Sequence, residues 1–414
     1  MARGRRVVIT GVGLASPLGV TPAENYDALV EGRHGIKEMP EWERFPDLRT
    51  RVAGVVTGLD LRKRWPRKRV RSMGRVARLA TYATEQALAQ SLGDEAPALL
   101  GSGRAGIAYG STTGSSGAFE KYATSLFRDW KVQGLNASLY LQFMAHTCAA
   151  NLAAFFSVKG RVLSTCSTCT SGSQAVGAGY EAIKYDLADI MLCGGAEEMH
   201  FSLAVTFDAM FATSAGYNER PDRTPRPFDR ARDGLVVGEG AGTLVLESLE
   251  HAQARGAPIL AEIIGYGTNC DGLHVTAPSE PGMRGAMQLS LSEAGLSPDD
   301  IDYVNAHGTA TELGDIAETR ATRAVFERAV PFSSTKSYIG HTLGACGAIE
   351  VIYCLGMLAR GFLPPTRNLE NVDERCGELD YIRELRRADS NIIMSNNFAF
   401  GGVNTSLILR RFEG

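Results

Sequence analysis

The chain has 414 residues, 44% hydrophobic and 21% charged, a balance that suits a folded globular protein and argues against low-complexity disorder. A formal net charge of −3 excludes a whole-protein basic field for nucleic acid. Eight irregularly spaced cysteines do not make a disulfide framework, and no run reaches the ~18 uninterrupted apolar residues of a membrane span, so a reducing cytoplasm is the expected location. Glycine is the outlier at 46 residues, about 11% against a usual ~7%; with no collagen period, this predicts tight turns and close backbone approaches.

At the N-terminus Arg3, Arg5 and Arg6 precede the apolar run Val7-Val8-Ile9, which mimics a signal peptide. Gly11, Gly13, Pro17 and Gly19 interrupt the run, which is better read as a strand followed by a turn. That turn fails the dinucleotide-binding test, because Ser16 stands where the fingerprint needs its third glycine. Short Gly-bounded apolar runs predict strands at 7–10, 105–109, 189–193, 242–246, 261–264, 303–305 and 392–394. Helical patterns fall between them at 75–92, 173–185, 283–293, 316–326 and 348–359. The alternation predicts an α/β protein, and no linker divides the chain. A faint internal echo links Ile9-Thr10-Gly11-Val12-Gly13 with Ile263-Ile264-Gly265-Tyr266-Gly267.

Cys166-Ser167-Thr168-Cys169 precedes Thr170-Ser171-Gly172-Ser173 and a helical pattern. Three chemical readings compete with an inert buried turn: a redox dithiol, half a zinc site, or a single nucleophile, Cys169, at a helix N-terminus where free N–H groups favour a thiolate and an oxyanion. Zinc lacks a second Cys-x-x-Cys or a His-x-x-x-His partner. Two of the seven histidines sit in small-residue loops next to predicted strands and helices: His307 in Asn305-Ala306-His307-Gly308-Thr309-Ala310-Thr311, and His341 in Lys336-Ser337-Tyr338-Ile339-Gly340-His341-Thr342-Leu343-Gly344. A last candidate, Asn397-Phe398-Ala399-Phe400-Gly401-Gly402, follows a strand and suits either an oxyanion-binding N–H or a moving gate.

Taken in order, Cys169-Thr170-Ser171-Gly172, His307-Gly308-Thr309-Ala310-Thr311, Lys336 with Gly340-His341, and Asn397–Gly402 resemble a β-ketoacyl-[acyl carrier protein] synthase of the elongating, FabF/FabB-like type. The resemblance runs from Val7 to Leu409 and implies a thiolase-like fold: two similar βαβαβαββ halves, residues 1–255 and 256–414, stacked as five α-β-α-β-α layers. It implies that Cys169 carries the acyl chain as a thioester and that His307 and His341 stabilise the malonyl carbonyl as CO₂ leaves. Lys336, paired with Glu350, would orient the site, and the N–H groups of Cys169 and Phe400 would form the oxyanion hole, Phe400 also acting as the gate. Thr276, Thr309 and Thr311 match channel positions, Thr113 an acyl-pocket position, and Phe207 and Phe398 further substrate-binding positions.

The resemblance also implies no cofactor beyond the 4′-phosphopantetheine of the acyl carrier protein, no metal, no nucleic acid and no membrane. It implies a homodimer, with a heterodimer containing a ketosynthase-like subunit as the variant. Arg62, Lys63, Arg64, Arg67, Lys68 and Arg69 match a region where the family docks its acidic carrier. His341 stands where initiating synthases have Asn, the C-terminal Gly-Gly loop lacks the second cysteine of thiolases, and Cys169 is missing from chain-length-factor partners. Ala310, Glu312 and Ala399 depart from the family's frequent Ser, Pro and Gly, and Cys166 and Thr168 crowd the nucleophile with small polar groups; these features resemble synthases of polyene, aryl-polyene-type clusters and put a saturated medium-to-long chain in question. The rival readings are a non-catalytic ketosynthase-like partner subunit and a redox or metal protein using Cys166 and Cys169.

Overall fold

A computed structural model describes residues 4–413 except 131 and 134. The first half contributes β1 (Val7–Ala15), β2 (Ala105–Gly110), β3 (Val162–Thr165), β4 (Ile190–Glu197) and β5 (Gly240–Ser248). The second contributes β6 (Ala261–Cys270), β7 (Tyr303–Asn305), β8 (Pro331–Ser333), β9 (Ile392–Phe398) and β10 (Val403–Arg410). Their spatial orders are β3-β2-β4-β5-β1 and β8-β7-β9-β10-β6, with the short strand Asp380–Tyr381 outside β8. Corresponding neighbours pair with the same sense in both sets: β2 with β3 and β4, and β7 with β8 and β9, are parallel. The remaining pairs, β4–β5–β1 and β9–β10–β6, are antiparallel. One topology is therefore built twice. The halves join where β1 and β6 pair through Val7–Ile263, Val8–Glu262 and Ile9–Ala261, making one continuous sheet of eleven strands.

The main helices are α1 (Arg75–Ser91), α2 (Thr147–Phe156), α3 (Ser171–Lys184), α4 (Glu280–Ala294), α5 (Glu312–Phe326) and α6 (Cys346–Arg360). Alternation along the strands assigns them to layers. In β4, Ile190 and Leu192 join a core with α1 and α2, whereas Met191 and Cys193 join a central core with α3 and α6. In β10, Leu407 and Leu409 face that central core, and Ile408 faces α4 and α5. The order is thus helix, sheet, helix, sheet, helix, and both faces of each half-sheet are covered. The run Leu343–Arg360, which contains α6, is long and apolar enough to cross a membrane, but 89% of it is buried inside the protein, as befits a central core helix.

The expected turn after Thr10 is not there. β1 continues through Gly11 and Gly13 because α1 lies against it: a Cβ on Gly11 would collide with the Ala87 carbonyl, and one on Gly13 with that of Ala83. β6 repeats the device, with Gly265 against the Ser290 carbonyl and Gly267 against that of Ala286 on α4. The sequence echo is therefore a duplicated helix-on-strand contact. Gly13→Ala is expected to destabilise the fold by about 1–3 kcal/mol or more through overpacking, read as a lower thermal midpoint.

Candidate active site

Cys169 occupies a single 3₁₀ turn, Thr168–Thr170, that leads straight into α3. Small residues at the start of α3 let the loop that follows His341 come close; a Cβ on Gly172 would lie 2.9 Å from the Gly344 carbonyl oxygen. This packing brings the two halves' chemistry together, with His341 Nε2 2.9 Å from Cys169 Sγ. His341 Nδ1 accepts the Leu343 N–H at 3.3 Å, so in the neutral ring the proton sits on Nε2, towards the sulfur.

His307 follows β7. Its N–H and that of Gly308 donate to the two carboxyl oxygens of Glu318 on α5, at 2.6 and 2.7 Å. The His307 and His341 rings stand 5.2 Å apart at 88°. Lys336 is buried and ion-paired with Glu350 on α6. The Asn397 amide donates to the other Glu350 oxygen at 2.7 Å and reaches His307 Nδ1 at 3.5 Å.

Burial is the largest influence on these groups. It lowers both histidines well below the usual imidazole range, with Lys336 acting in the same direction on both and His341 adding to the effect on His307. Both rings are therefore neutral hydrogen-bonding groups at pH 7. Burial pushes the Cys169 thiol up to about 11, against the opposing pull of Lys336, the Phe400 N–H, the Thr168 hydroxyl and the Cys169 N–H. For Lys336 burial disfavours the charge, but Glu350 outweighs it and holds the amine above its ordinary value. Cys169, His307 and His341 place a sulfur and two nitrogens within 4.8 Å of one another, a donor set of metal-binding type. The Lys336 charge bears on all three, which opposes a cation there and favours an anion.

The three residues line a cavity of about 540 Å³. Phe207, Phe398 and Phe400 form aromatic parts of its wall, with the Phe207 and Phe400 rings 6.0 Å apart. Thr276, Thr309 and Thr311 add hydroxyl groups, the last two 3.0 Å from each other. Thr113 does not join them. Its neighbour Thr112 turns inward, binding Glu197 through its N–H at 3.0 Å and its hydroxyl at 2.7 Å, which leaves Thr113 exposed after β2. Cys166 is also exposed, a free thiol donating to the Thr112 carbonyl at 3.1 Å.

Part of the predicted docking patch is occupied within the chain. Arg62 pairs with Asp60, Arg64 pairs with Glu85, and Arg69 lies 3.8 Å above the Phe155 ring and donates to the Phe155 carbonyl. Arg67 and Lys68 are exposed without an ion pair among the described residues, and Lys63, also exposed, adds to the field at Asp60. Sequence reading gave no role to Glu318 or Asn397, and noted Thr168 only as a small polar group crowding the nucleophile. Asn397 lay inside a recognised motif, whereas Glu318 had no mark distinguishing it from solvent-facing acids of the same helix.

Comparison with known proteins agrees with this geometry. The family described as beta-ketoacyl synthase, N-terminal domain, matches residues 4–252, and the corresponding C-terminal domain family matches residues 260–370. The 3-oxoacyl-[acyl-carrier-protein] synthase 1 of Escherichia coli (strain K12) is 37% identical over 411 residues, covering 99% of this chain and 100% of that protein. A solved beta-ketoacyl synthase from Burkholderia phymatum STM815 is 49% identical, with a TM-score of 0.95, covering 99% of this chain and 100% of its own. The ishigamide ketosynthase/chain length factor is 32% identical, with a TM-score of 0.91 at the same coverage. The chain has the thiolase-like ketosynthase fold and belongs to the β-ketoacyl synthase family, acyltransferases of the 3-oxoacyl-[acyl-carrier-protein] synthase class.

Proposed function

We propose that Cys169, His307, His341 and Lys336 carry out the decarboxylative Claisen condensation of a malonyl thioester with an acyl chain held on Cys169. The observation that carries this reading is the buried sulfur–imidazole contact of 2.9 Å, with a second neutral imidazole beside it, in the wall of an open cavity. Cys169 sulfur attacks the carrier-borne acyl thioester, and the pantetheine thiol leaves. His307 and His341 then donate N–H groups to the malonyl thioester carbonyl. The bond to the carboxylate breaks, its electron pair passing into the enolate as CO₂ departs. The α-carbon attacks the acyl carbonyl, the N–H groups of Cys169 and Phe400 receive the oxyanion, and Cys169 sulfur leaves. Both N–H groups already bear on the sulfur. Lys336, balanced by Glu350, keeps the rings neutral and the site receptive to negative charge.

The hydroxyls of Thr276, Thr309 and Thr311 suit the amides of a pantetheine arm, and the reading needs no metal or organic cofactor of the protein's own. Arg67, Lys68 and Lys63 are the cations left for an acidic carrier protein. We place the boundary between the two halves near residue 255 and the protein in the cytoplasm. β3 is an outer strand of the sheet, with Val162 and Leu163 exposed at 44% and 37%, which suits pairing with a second copy or a ketosynthase-like subunit. The likeness to a ketosynthase/chain length factor favours, as a second reading, a place in a heterodimer making polyene or polyketide chains. Incubating the purified chain with malonyl- and acyl-carrier proteins of varied length and unsaturation tests the reading. A β-ketoacyl product supports it, and Lys68→Glu should raise KM for the carrier-borne substrate with kcat little changed. Absence of product from the chain alone, with product on adding a partner subunit, would favour the heterodimer.

A further inference from the structure

Thr168 is a β-branched residue with a φ of +50°, in the left-handed region that such residues seldom enter. A strained residue beside a nucleophile needs a reason, and its side chain supplies one. Thr168 Oγ1 donates to the Phe400 carbonyl oxygen at 2.8 Å, linking positions 232 residues apart. Its own carbonyl accepts the Ser171 hydroxyl at 2.7 Å, which fixes the turn against α3. On the far side, Gly401 and Gly402 have φ values of +94° and +74°, and the Gly401 N–H is tied to the Val275 carbonyl at 2.7 Å. The Thr168 hydroxyl thus fastens the Phe400 carbonyl to the turn carrying the nucleophile, beside the Phe400 N–H that bears on the Cys169 sulfur.

We propose that Thr168 is a positioning residue whose hydroxyl latches the Phe400 gate loop to the nucleophile turn, and so sets both access to Cys169 and the stability of its thiolate. This rests on the reading of Cys169 as nucleophile and of Phe400 as gate. A hydroxyl has one hydrogen. That hydrogen goes to the Phe400 carbonyl, and the Thr168 side chain also lowers the Cys169 thiol against the upward push of burial. The other titratable groups that face the sulfur are Lys336, His341, His307 and the buried thiol of Cys346, and none of them contacts Phe400 by a hydrogen bond among the described residues.

The test compares Thr168→Val, which keeps the shape and β-branching but loses the hydroxyl, with Thr168→Ser, which keeps the hydroxyl. Both are made in a Cys166→Ser background, so that peptide mapping reads Cys169 alone. Alkylation rates with iodoacetamide and with the bulkier pyrene maleimide are followed against pH, and thermal melts establish equal folding. Thr168→Val should raise the pH midpoint of Cys169 alkylation by about 1 unit, having lost a donor to the thiolate. It should also raise the rate of the bulky reagent relative to the small one about fivefold. Thr168→Ser should restore both. Unchanged midpoint and ratio in Thr168→Val, or a serine variant that behaves like the valine one, overturns the latch while leaving Cys169 the nucleophile. An acyl group on the wild-type protein that maps away from Cys169 overturns the nucleophile reading and the latch with it.

Discussion

Cys169→Ala protein is expected to form no acyl-enzyme and to lose condensation by about 10³-fold or more. The reason lies in the distribution of thiols. Cys166 is three residues away but exposed and bonded to the Thr112 carbonyl. Cys346 approaches the Cys169 carbonyl at 3.2 Å, but burial pushes its thiol far above the usual range, and it lacks the Phe400 N–H that serves Cys169. Neither is placed to take over the acyl group. Release of CO₂ from the malonyl substrate should survive, because alanine leaves His307, His341 and Lys336 in position. Intact-mass measurement after incubation with an acyl carrier, alongside an assay of CO₂ release, separates the two half-reactions. An acyl group found on Cys166, or undiminished condensation, would remove Cys169 from its role.

Much of this was legible in the sequence, for reasons particular residues make plain. Residue types under strong chemical constraint occur in short runs: a cysteine at a helix start, two histidines in small-residue loops, a Phe between small residues. Their order along the chain carried the family, and the family carried the fold. Gly11 and Gly13 misled because a glycine needed for close contact with a helix reads the same as one needed for a turn; only the Ala83 and Ala87 carbonyls distinguish them. Thr112 and Thr113 show a related ambiguity, since they are identical in type and only the Glu197 carboxylate selects which turns inward. Glu318 was invisible, and Thr168 could be read only as a small polar group beside the nucleophile, because their bonds depend on partners distant in sequence or on a left-handed φ, neither of which leaves a local signature.

Below about pH 6.5 the same pair of histidines should subtract stability, an effect opposed by the buried carboxyls of Glu197, Asp315 and Glu318, which burial raises to about 7, 6 and 8. Burial and Lys336 hold both rings unprotonated when folded, whereas in the unfolded chain they bind protons at the ordinary imidazole pKa. At these two sites the unfolded state therefore binds more protons below pH 6.5. Their full contribution to stability is present above that value and falls by about 1.4 kcal/mol per pH unit for each histidine, until the folded pKa is reached. Urea unfolding across pH 4.5–8 measures the slope, and a His307→Asn, His341→Asn double variant should lower it by the two histidines' share; an equal slope in that variant would refute the assignment. Lys336→Met extends the prediction. Removing the ammonium leaves the Glu350 carboxylate buried beside Asn397 without its counter-charge, a loss of about 3–5 kcal/mol. It also lifts the repulsion that depresses both imidazoles, so the acid limb of the condensation profile moves to higher pH. Adding Glu350→Leu should recover much of the stability, because an apolar pair can replace a buried ion pair, but it cannot restore the lost charge. A double variant that is stable yet still protonates its histidines early would separate the two functions of Lys336: holding the core together, and keeping two neutral hydrogen-bond donors ready for the malonyl carbonyl.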